Sequence, residues 1–152
     1  VCGGPAGAVD MVRSVYANAY PDAKFFGMTA VEAELVKYFT NCGLACRVSL
    51  ANEFAQICEK LGVDYNNVIG VAKENTLGKD DTRMGLTHWD VPGKCGQIGF
   101  GGSCFPKDLN ALIYVARKLG VKPTCMEAAW EKNLEVRPGR DWEQLKGRAV
   151  VE

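Results

Sequence analysis

The longest hydrophobic pattern in the chain repeats at helical spacing over residues 30–61. Apolar side chains recur every three or four positions, Gly43 is the only breaker inside the run, and Gly62 ends it. Thr29 and Glu32 stand three residues apart and form a capping box that predicts where this helix begins. A helix of about 30 residues extends ~45 Å, longer than a domain of this size is wide. The pattern therefore predicts one long helix that packs against a partner chain.

Shorter helical patterns lie before and after this segment. We predict helices over 8–19, from 65 or 67 to 74, from Pro106 at its first position to Gly120, and over 124–135, with a helical turn at 142–145. Short extended pieces are expected at 1–4, 24–27 and 148–151. Residues 75–98 are rich in Gly, Asp and Thr and show little periodicity, which favours a substrate-binding loop. The predicted fold class is mainly α: a helical domain centred on one long helix, with short peripheral strands.

Composition narrows the class of protein. The chain has 152 residues, 47% of them hydrophobic, and 18 basic residues balance 18 acidic ones, so neither a nucleic-acid partner nor an anionic membrane is expected. Seven cysteines form no C-x-x-C pair and accompany a single histidine. Cys42 and Cys46 are spaced to hold half of a metal site, but no second pair completes it. We expect reduced thiols in a cytoplasmic protein without a metal.

The sequence Gly99–Asp108 (GFGGSCFPKD) places one thiol at the predicted start of a helix. Three glycines give the backbone freedom to approach a ligand closely. Cys104 then lies beside the unpaired N–H groups of the helix, with Lys107 near in sequence, and both features lower the pKa of a thiol. A small buried cysteine is the alternative, but the glycines and the charged pair Lys107 and Asp108 favour a reactive thiolate.

A polar set on the long helix supplies the second candidate feature. Lys37 and Asn41 are four residues apart and share one face, and Glu34 lies one turn before Lys37. Taken alone, these three residues indicate a solvated helix face with a Glu–Lys pair.

Two motifs together carry a family resemblance. The segment 33–41 (AELVKYFTN), followed by Asn52 and Glu53 and then by GFGGSCFPKD at 99–108, resembles the UDP-glucose/GDP-mannose dehydrogenase family. The similarity runs from about residue 1 to residue 132 and covers the family's central domain, which forms a homodimer through its long helix. The resemblance also implies a fold like the C-terminal domain of 6-phosphogluconate dehydrogenase.

The resemblance implies an enzyme that oxidises carbon 6 of a nucleotide sugar to a carboxylate with NAD, in polysaccharide precursor biosynthesis. Cys104 matches the nucleophile, which forms a thiohemiacetal and then a thioester. Lys37 would stabilise the oxyanion, Asn41 would donate to the same oxygen or hold water, and Asp108 would position or deprotonate the water. The remaining implied contacts are Glu34, Arg83, Phe100, Gly101 and Phe105 to substrate and Lys107 to cofactor.

The sequence contains no Rossmann fingerprint, so NAD is expected to bind mainly to a domain outside it. On this reading residues 1–27 are the end of that cofactor domain, or a linker, plus the first helix. Residues 28–137 form the helical dimerisation and catalytic domain, and 138–152 a C-terminal segment. The sequence does not distinguish UDP-glucose from GDP-mannose as the substrate. The alternatives are a dimerisation module whose active site is unused and a thiol redox sensor built on Cys104.

Overall fold

The computed structural model describes residues 1–74 and 87–145. In these ranges the helices are α1 (Ala6–Ala19), α2 (Ala30–Leu61), α3 (Tyr65–Lys73), α4 (Cys104–Lys118) and α5 (Thr124–Val136), followed by a 3₁₀ turn at Asp141–Gln144. Two short strands, β1 (Cys2–Gly3) and β2 (Gly27–Met28), complete the set. The mainly helical class and the bounds of the long helix are confirmed. The strand predicted at 148–151 lies outside the described residues.

The chain divides into two compact units, Val1–Thr40 and Asn41–Glu152. In the first unit β1 pairs in parallel with β2, Cys2 opposite Gly27 and Gly3 opposite Met28. Helix α1 joins the two strands as the crossover connection that a parallel pair requires. The domain boundaries expected at 27/28 and 137/138 stay predictions.

The capping box at the start of α2 is confirmed. The Thr29 hydroxyl accepts a hydrogen bond from the Glu32 N–H at 3.3 Å, and the Glu32 carboxylate accepts from the Thr29 N–H at 2.8 Å. The Thr29 hydroxyl also donates to that carboxylate at 2.7 Å. These bonds lower the pKa of Glu32 below its ordinary value, led by the Thr29 side chain. Two otherwise unpaired N–H groups are thereby satisfied where the sequence predicts the helix to begin.

Two hydrophobic clusters form the core of the second unit. One joins α2 to the segment before α4 and to α4 itself, through Cys42, Ala45, Phe100, Leu109 and Ile113. The other joins the second half of α2 to α3 and to the segment at 87–91, through Ala51, Cys58, Tyr65, Ile69 and Trp89. Helix α5 packs on α4, and it accepts a buried 2.6 Å hydrogen bond at the Ala129 carbonyl from the Ser49 hydroxyl of α2. Through Phe100, the glycine-rich segment is part of the first hydrophobic cluster.

Helix α4 begins at Cys104, two residues before the predicted start at Pro106. Pro106 is the third helical residue instead of the first. It is tolerated there because the first four N–H groups of a helix have no intrahelical acceptor, so the donor that proline lacks is not missed. Gly120, at φ +74°, follows the end of the helix as predicted. Among the described residues, no helix is long and apolar enough to cross a membrane.

Candidate active site

Cys104 is the first residue of α4, and its side chain is exposed. Its sulfur lies 3.8 Å from the hydroxyl of Ser103, the residue that precedes the helix. The first-turn N–H groups of an α-helix carry a partial positive charge, which favours an anion at this end. The structure therefore presents an accessible thiol at the positive end of a helix dipole.

A hydrogen bond joins the two sequence motifs. The Asn41 side-chain amide of α2 donates to the Asp108 carboxylate of α4 at 2.6 Å, across 67 residues of sequence. Asp108 is fully buried, and its other oxygen is ion-paired with the Lys107 ammonium. A buried carboxylate is stable when it is paired and hydrogen-bonded, as this one is. Four residues after Cys104, Asp108 lies one turn along the same helix.

Side chains from other elements hold the backbone before Cys104. Asn133 of α5 is fully buried, accepts from the Phe100 N–H at 2.7 Å and donates to the Phe100 carbonyl at 2.9 Å. The Asp141 carboxylate accepts from the Gly102 N–H at 3.1 Å and is itself held by the Arg137 guanidinium at 2.7 Å. Burial opposes ionisation of Asp141, but Arg137 and the Gly102 N–H outweigh it and lower its pKa. This segment has fixed hydrogen-bond partners although it belongs to no strand.

A cavity of about 690 Å³ opens beside this segment. Its wall includes the aromatic rings of Phe100 and Phe105 together with Gly101 and Gly102. The two rings meet edge to face with centroids 6.1 Å apart. Gly102, two residues before Cys104, and Phe105, directly after it, therefore border a cavity large enough for a small organic ligand.

Charged side chains of both signs line the cavity. Lys73, Lys94 and Arg137 stand against Asp90 and Asp141, with Lys73 3.3 Å from Asp90 and Arg137 2.7 Å from Asp141. His88 also lines the cavity, and burial, followed by the charges of Arg47 and Lys94, lowers its pKa below the ordinary value. Among the wall residues that the structure describes, basic side chains outnumber acidic ones by one, and together with the two aromatic rings they suit a ligand with an anionic part and a planar ring.

Cys95 is another exposed thiol, and it lies in the cavity wall. Its sulfur lies 3.8 Å from an Arg137 nitrogen. The backbone at Gln97 and the Arg137 guanidinium lower the pKa of this thiol. It is therefore a competitor of Cys104 in any test of thiol reactivity.

The predicted site residues fall into three groups. The first group is brought together in the second unit: Asn41 is hydrogen-bonded to Asp108. Three more of its members line the cavity, namely Phe100, Gly101 and Phe105, and the Phe100 ring also belongs to the core. Lys107 pairs with Asp108. Glu34 and Lys37 are exposed on α2 in the first unit, where the Lys37 ammonium lies 5.3 Å from the Tyr38 ring centroid, so their convergence with Cys104 stays a prediction. Arg83 lies outside the described residues.

The sequence analysis assigned no role to the residues that hold the glycine-rich segment. Asn133 carried a usable signal: it lies four residues after Ala129 and three before Val136, so a polar side chain occupies the buried stripe of α5. A buried amide at such a position needs hydrogen-bond partners. Arg137 and Asp141 carried no comparable signal, because a pair four residues apart is common on protein surfaces.

The comparison with models of protein families shows which family this chain belongs to. The model of the UDP-glucose/GDP-mannose dehydrogenase family, central domain, matches residues 31–135. The chain belongs to this family. The match covers α2 to α5 and includes both motifs.

Named relatives agree with the family. A UDP-glucose 6-dehydrogenase of Bacillus subtilis, TuaD, is 38% identical over 102 residues, which are 66% of this chain and 20% of the relative. AglM of Haloferax volcanii, also a UDP-glucose 6-dehydrogenase, is 38% identical over 117 residues, 77% of this chain and 24% of the relative. The structure of a UDP-glucose dehydrogenase from Pyrobaculum islandicum superimposes with a TM-score of 0.72 at 34% identity, covering 87% of this chain and 28% of that one. The chain thus spans about a quarter of the length of these relatives.

Proposed function

We propose that this chain is the catalytic and dimerisation part of an NAD-dependent nucleotide-sugar 6-dehydrogenase, with Cys104 as its nucleophile. The observation that carries the proposal is the Asn41–Asp108 hydrogen bond, which joins the family's two motifs by linking α2 to the helix that begins with Cys104. An exposed thiol, a buried and ion-paired acid one turn further along the same helix, and a cavity lined by residues close to the thiol in sequence form the set that acyl transfer through a thioester needs. The relatives named above are UDP-glucose dehydrogenases, which supports this substrate class.

The proposed chemistry assigns a role to each residue. The Cys104 thiolate adds to carbon 6 at the aldehyde stage, forming a C–S bond and an alkoxide, whose charge the Lys37 ammonium and the Asn41 amide stabilise. Loss of hydride from that carbon leaves a thioester. Water held by Asp108 and Asn41 then adds to the thioester, the C–S bond breaks, and the products are the carboxylate, the free thiolate and two protons.

NAD⁺, when bound, supplies hydride acceptance at both oxidation stages. The chain has no glycine-rich fingerprint for a dinucleotide, so a separate domain would hold most of the cofactor. Lys107 would contribute a cation at its edge while it stays paired with Asp108. The residues present thus fit a contact with the cofactor, and the main NAD site is assigned elsewhere.

The cavity supports the nucleotide-sugar assignment. Lys94 and Arg137 would face the diphosphate, and the Phe105 ring would contact an aromatic base or a sugar face. Glu34, Arg83, Phe100 and Gly101 are proposed as further substrate contacts. The same wall features suit UDP-glucose and GDP-mannose, so the choice between them is left to the experiment below.

Substitution of the nucleophile tests the proposal. In a protein that contains this chain together with a dinucleotide-binding domain, Cys104→Ser should lower steady formation of the sugar acid by more than ~10³-fold, because a serine alkoxide is far harder to form than a thiolate. Lys37→Ala should lower it by ~10²–10³-fold through loss of oxyanion stabilisation. The measurement is NADH formation with UDP-glucose and with GDP-mannose, each supplied separately.

Cys125→Ser is the matched control, since Cys125 is exposed at the second position of α5 and has no proposed role. It should leave the rate unchanged. The 152-residue chain alone should bind the nucleotide sugar without oxidising it. Wild-type rates in the Cys104→Ser protein would exclude the thioester route and leave a non-catalytic dimerisation module as the better assignment.

A further inference from the structure

We infer that Asn133 is a positioning residue that fixes the glycine-rich segment in front of Cys104; the inference rests on the function proposed above. It goes beyond that proposal by assigning a role in the reaction to a residue of α5 that belongs to neither family motif. The family resemblance assigns Asn133 nothing.

The two hydrogen bonds of Asn133 satisfy both backbone groups of one residue. The carboxamide oxygen accepts from the Phe100 N–H at 2.7 Å and the nitrogen donates to the Phe100 carbonyl at 2.9 Å. Such a reciprocal pair is what a neighbouring β-strand would offer, yet Phe100 lies in neither a helix nor a strand. Because both groups are buried, losing their partner would leave two desolvated polar groups.

Gly99 lets the amide come this close. A Cβ on Gly99 would lie 2.6 Å from the Asn133 oxygen, and Gly99 has a φ of +70°, which only glycine adopts without strain. On the other side, the Asn52 side-chain oxygen of α2 accepts from the Gly99 N–H at 3.2 Å. The glycine in the motif and the asparagine on α5 are therefore complementary.

A second anchor acts on Gly102. The Gly102 N–H donates to the Asp141 carboxylate, which is ion-paired with the buried Arg137. Arg137 follows Asn133 by four residues. The peptide groups at 99, 100 and 102 are thus all tied to side chains, and the Phe100 ring is packed in the core. Cys104 follows two residues after the second anchor, so the direction in which the chain enters α4 is fixed from outside the loop.

Asn133 acts through the backbone of Phe100, so it is a positioning residue rather than a catalytic one. The competing explanation is that its bonds only stabilise the core. Ser49 offers a comparison, since its buried hydroxyl joins α2 to α5, at 2.6 Å, without a bond to the glycine-rich segment. A substitution there removes a buried hydrogen bond to the same helix and leaves the loop contacts in place.

The test compares Asn133→Leu with Ser49→Ala in the 152-residue chain. Both variants should lose stability, because Asn133→Leu removes two buried hydrogen bonds and Ser49→Ala removes one. Only Asn133→Leu should speed amide exchange over residues 99–103 by about tenfold or more and slow iodoacetamide labelling of Cys104, relative to the exposed Cys125, by about threefold or more. Asn133→Asp keeps the acceptor but lacks the donor, so it should lie between wild type and Asn133→Leu.

Turnover separates positioning from stability. In the protein that also carries a dinucleotide-binding domain, Asn133→Leu should lower kcat by about tenfold or more, with a smaller change in KM, and Ser49→Ala should change neither. Equal effects of Ser49→Ala and Asn133→Leu on loop exchange and Cys104 labelling would overturn the inference. If Asn133→Leu does not fold, Asn133→Asp replaces it, and wild-type exchange and labelling rates in that variant would also overturn the inference. The exchange and labelling assays need no substrate, so a wild-type protein without turnover would refute the proposed function alone.

Discussion

The seven thiols of this chain differ in exposure and in charge environment. Cys42 and Cys58 are buried in the two hydrophobic clusters, whereas Cys95, Cys104 and Cys125 are exposed. Burial raises the pKa of Cys42 to about 11. Near pH 7 that thiol is ionised to only ~10⁻⁴, compared with a few per cent for an ordinary thiol with a pKa of ~8.5. Reactivity should therefore separate the thiols clearly.

We predict that limiting iodoacetamide near neutral pH labels Cys104 first, because it combines exposure with the positive end of α4. Cys95 should follow, since its pKa is lowered by the backbone at Gln97 and by Arg137. Cys42 should react at least ~100-fold more slowly than either until the chain unfolds. Peptide mass spectrometry over a time course gives the three rates.

Cys95→Ser serves as the control and should leave the rate at Cys104 unchanged. If Cys95 is labelled while Cys104 stays unmodified, the argument from the helix terminus is wrong and the cavity thiol beside Arg137 becomes the activated one. Rapid labelling of Cys42 in the native chain would contradict the packing of the first cluster.

At the scale of elements, the first turn of α2 offers a measurable contribution to stability. Thr29→Ala removes one half of the capping box and should lower the free energy of unfolding by about 1 kcal/mol. The folded-state pKa of Glu32 lies below its ordinary value of 4.5, so the ionised cap stabilises the helix above that pH and the contribution is lost as the pH falls through the folded-state pKa. Urea unfolding at pH 7 and in acid measures both effects.

Thr40→Ala is the matched control on the same helix. The Thr40 hydroxyl donates to the Val36 carbonyl one turn earlier, a bond that gives a helix little, so this substitution should change stability by less than ~0.5 kcal/mol. A Thr29→Ala effect no larger than that of Thr40→Ala, or a difference that stays constant down to low pH, would show that the box does not stabilise α2.

Sequence alone predicts α2 far better than the surroundings of Cys104. The bounds of α2 follow from local signals, an apolar period, a capping box and a terminal glycine, all of which lie within the segment. The start of α4 depends on distant side chains, because Asn133 and Asp141 bind the backbone of residues 33 and 39 positions away. No local rule contains those bonds, so the predicted start fell two residues late. The Asn41–Asp108 contact required a family resemblance for the same reason.

At the scale of the whole molecule, the long helix leaves much apolar surface in the single chain. Large hydrophobic residues are exposed along its length: Val31, Leu35, Val36, Phe39, Leu50, Phe54, Ile57 and Leu61. Phe39 is 82% exposed, an unusual state for a phenylalanine in a well-packed protein. Apolar surface of this extent on one helix is typical of an interface. We therefore propose that α2 pairs with α2 of a second copy in a two-fold dimer.

Such a dimer should bury well over ~1,000 Å² and persist at micromolar concentration in sedimentation. A two-fold contact repeats every substitution, so Phe54→Glu would place one negative charge from each copy in the interface. This variant should shift the protein to monomer. Tyr114→Glu is the control, since it adds the same charge at an exposed aromatic residue on α4, 61% exposed, and should leave the dimer intact. A wild-type monomer, or a dimer unaffected by Phe54→Glu, would mean that the apolar face of α2 is covered by a surface other than α2 of a second copy.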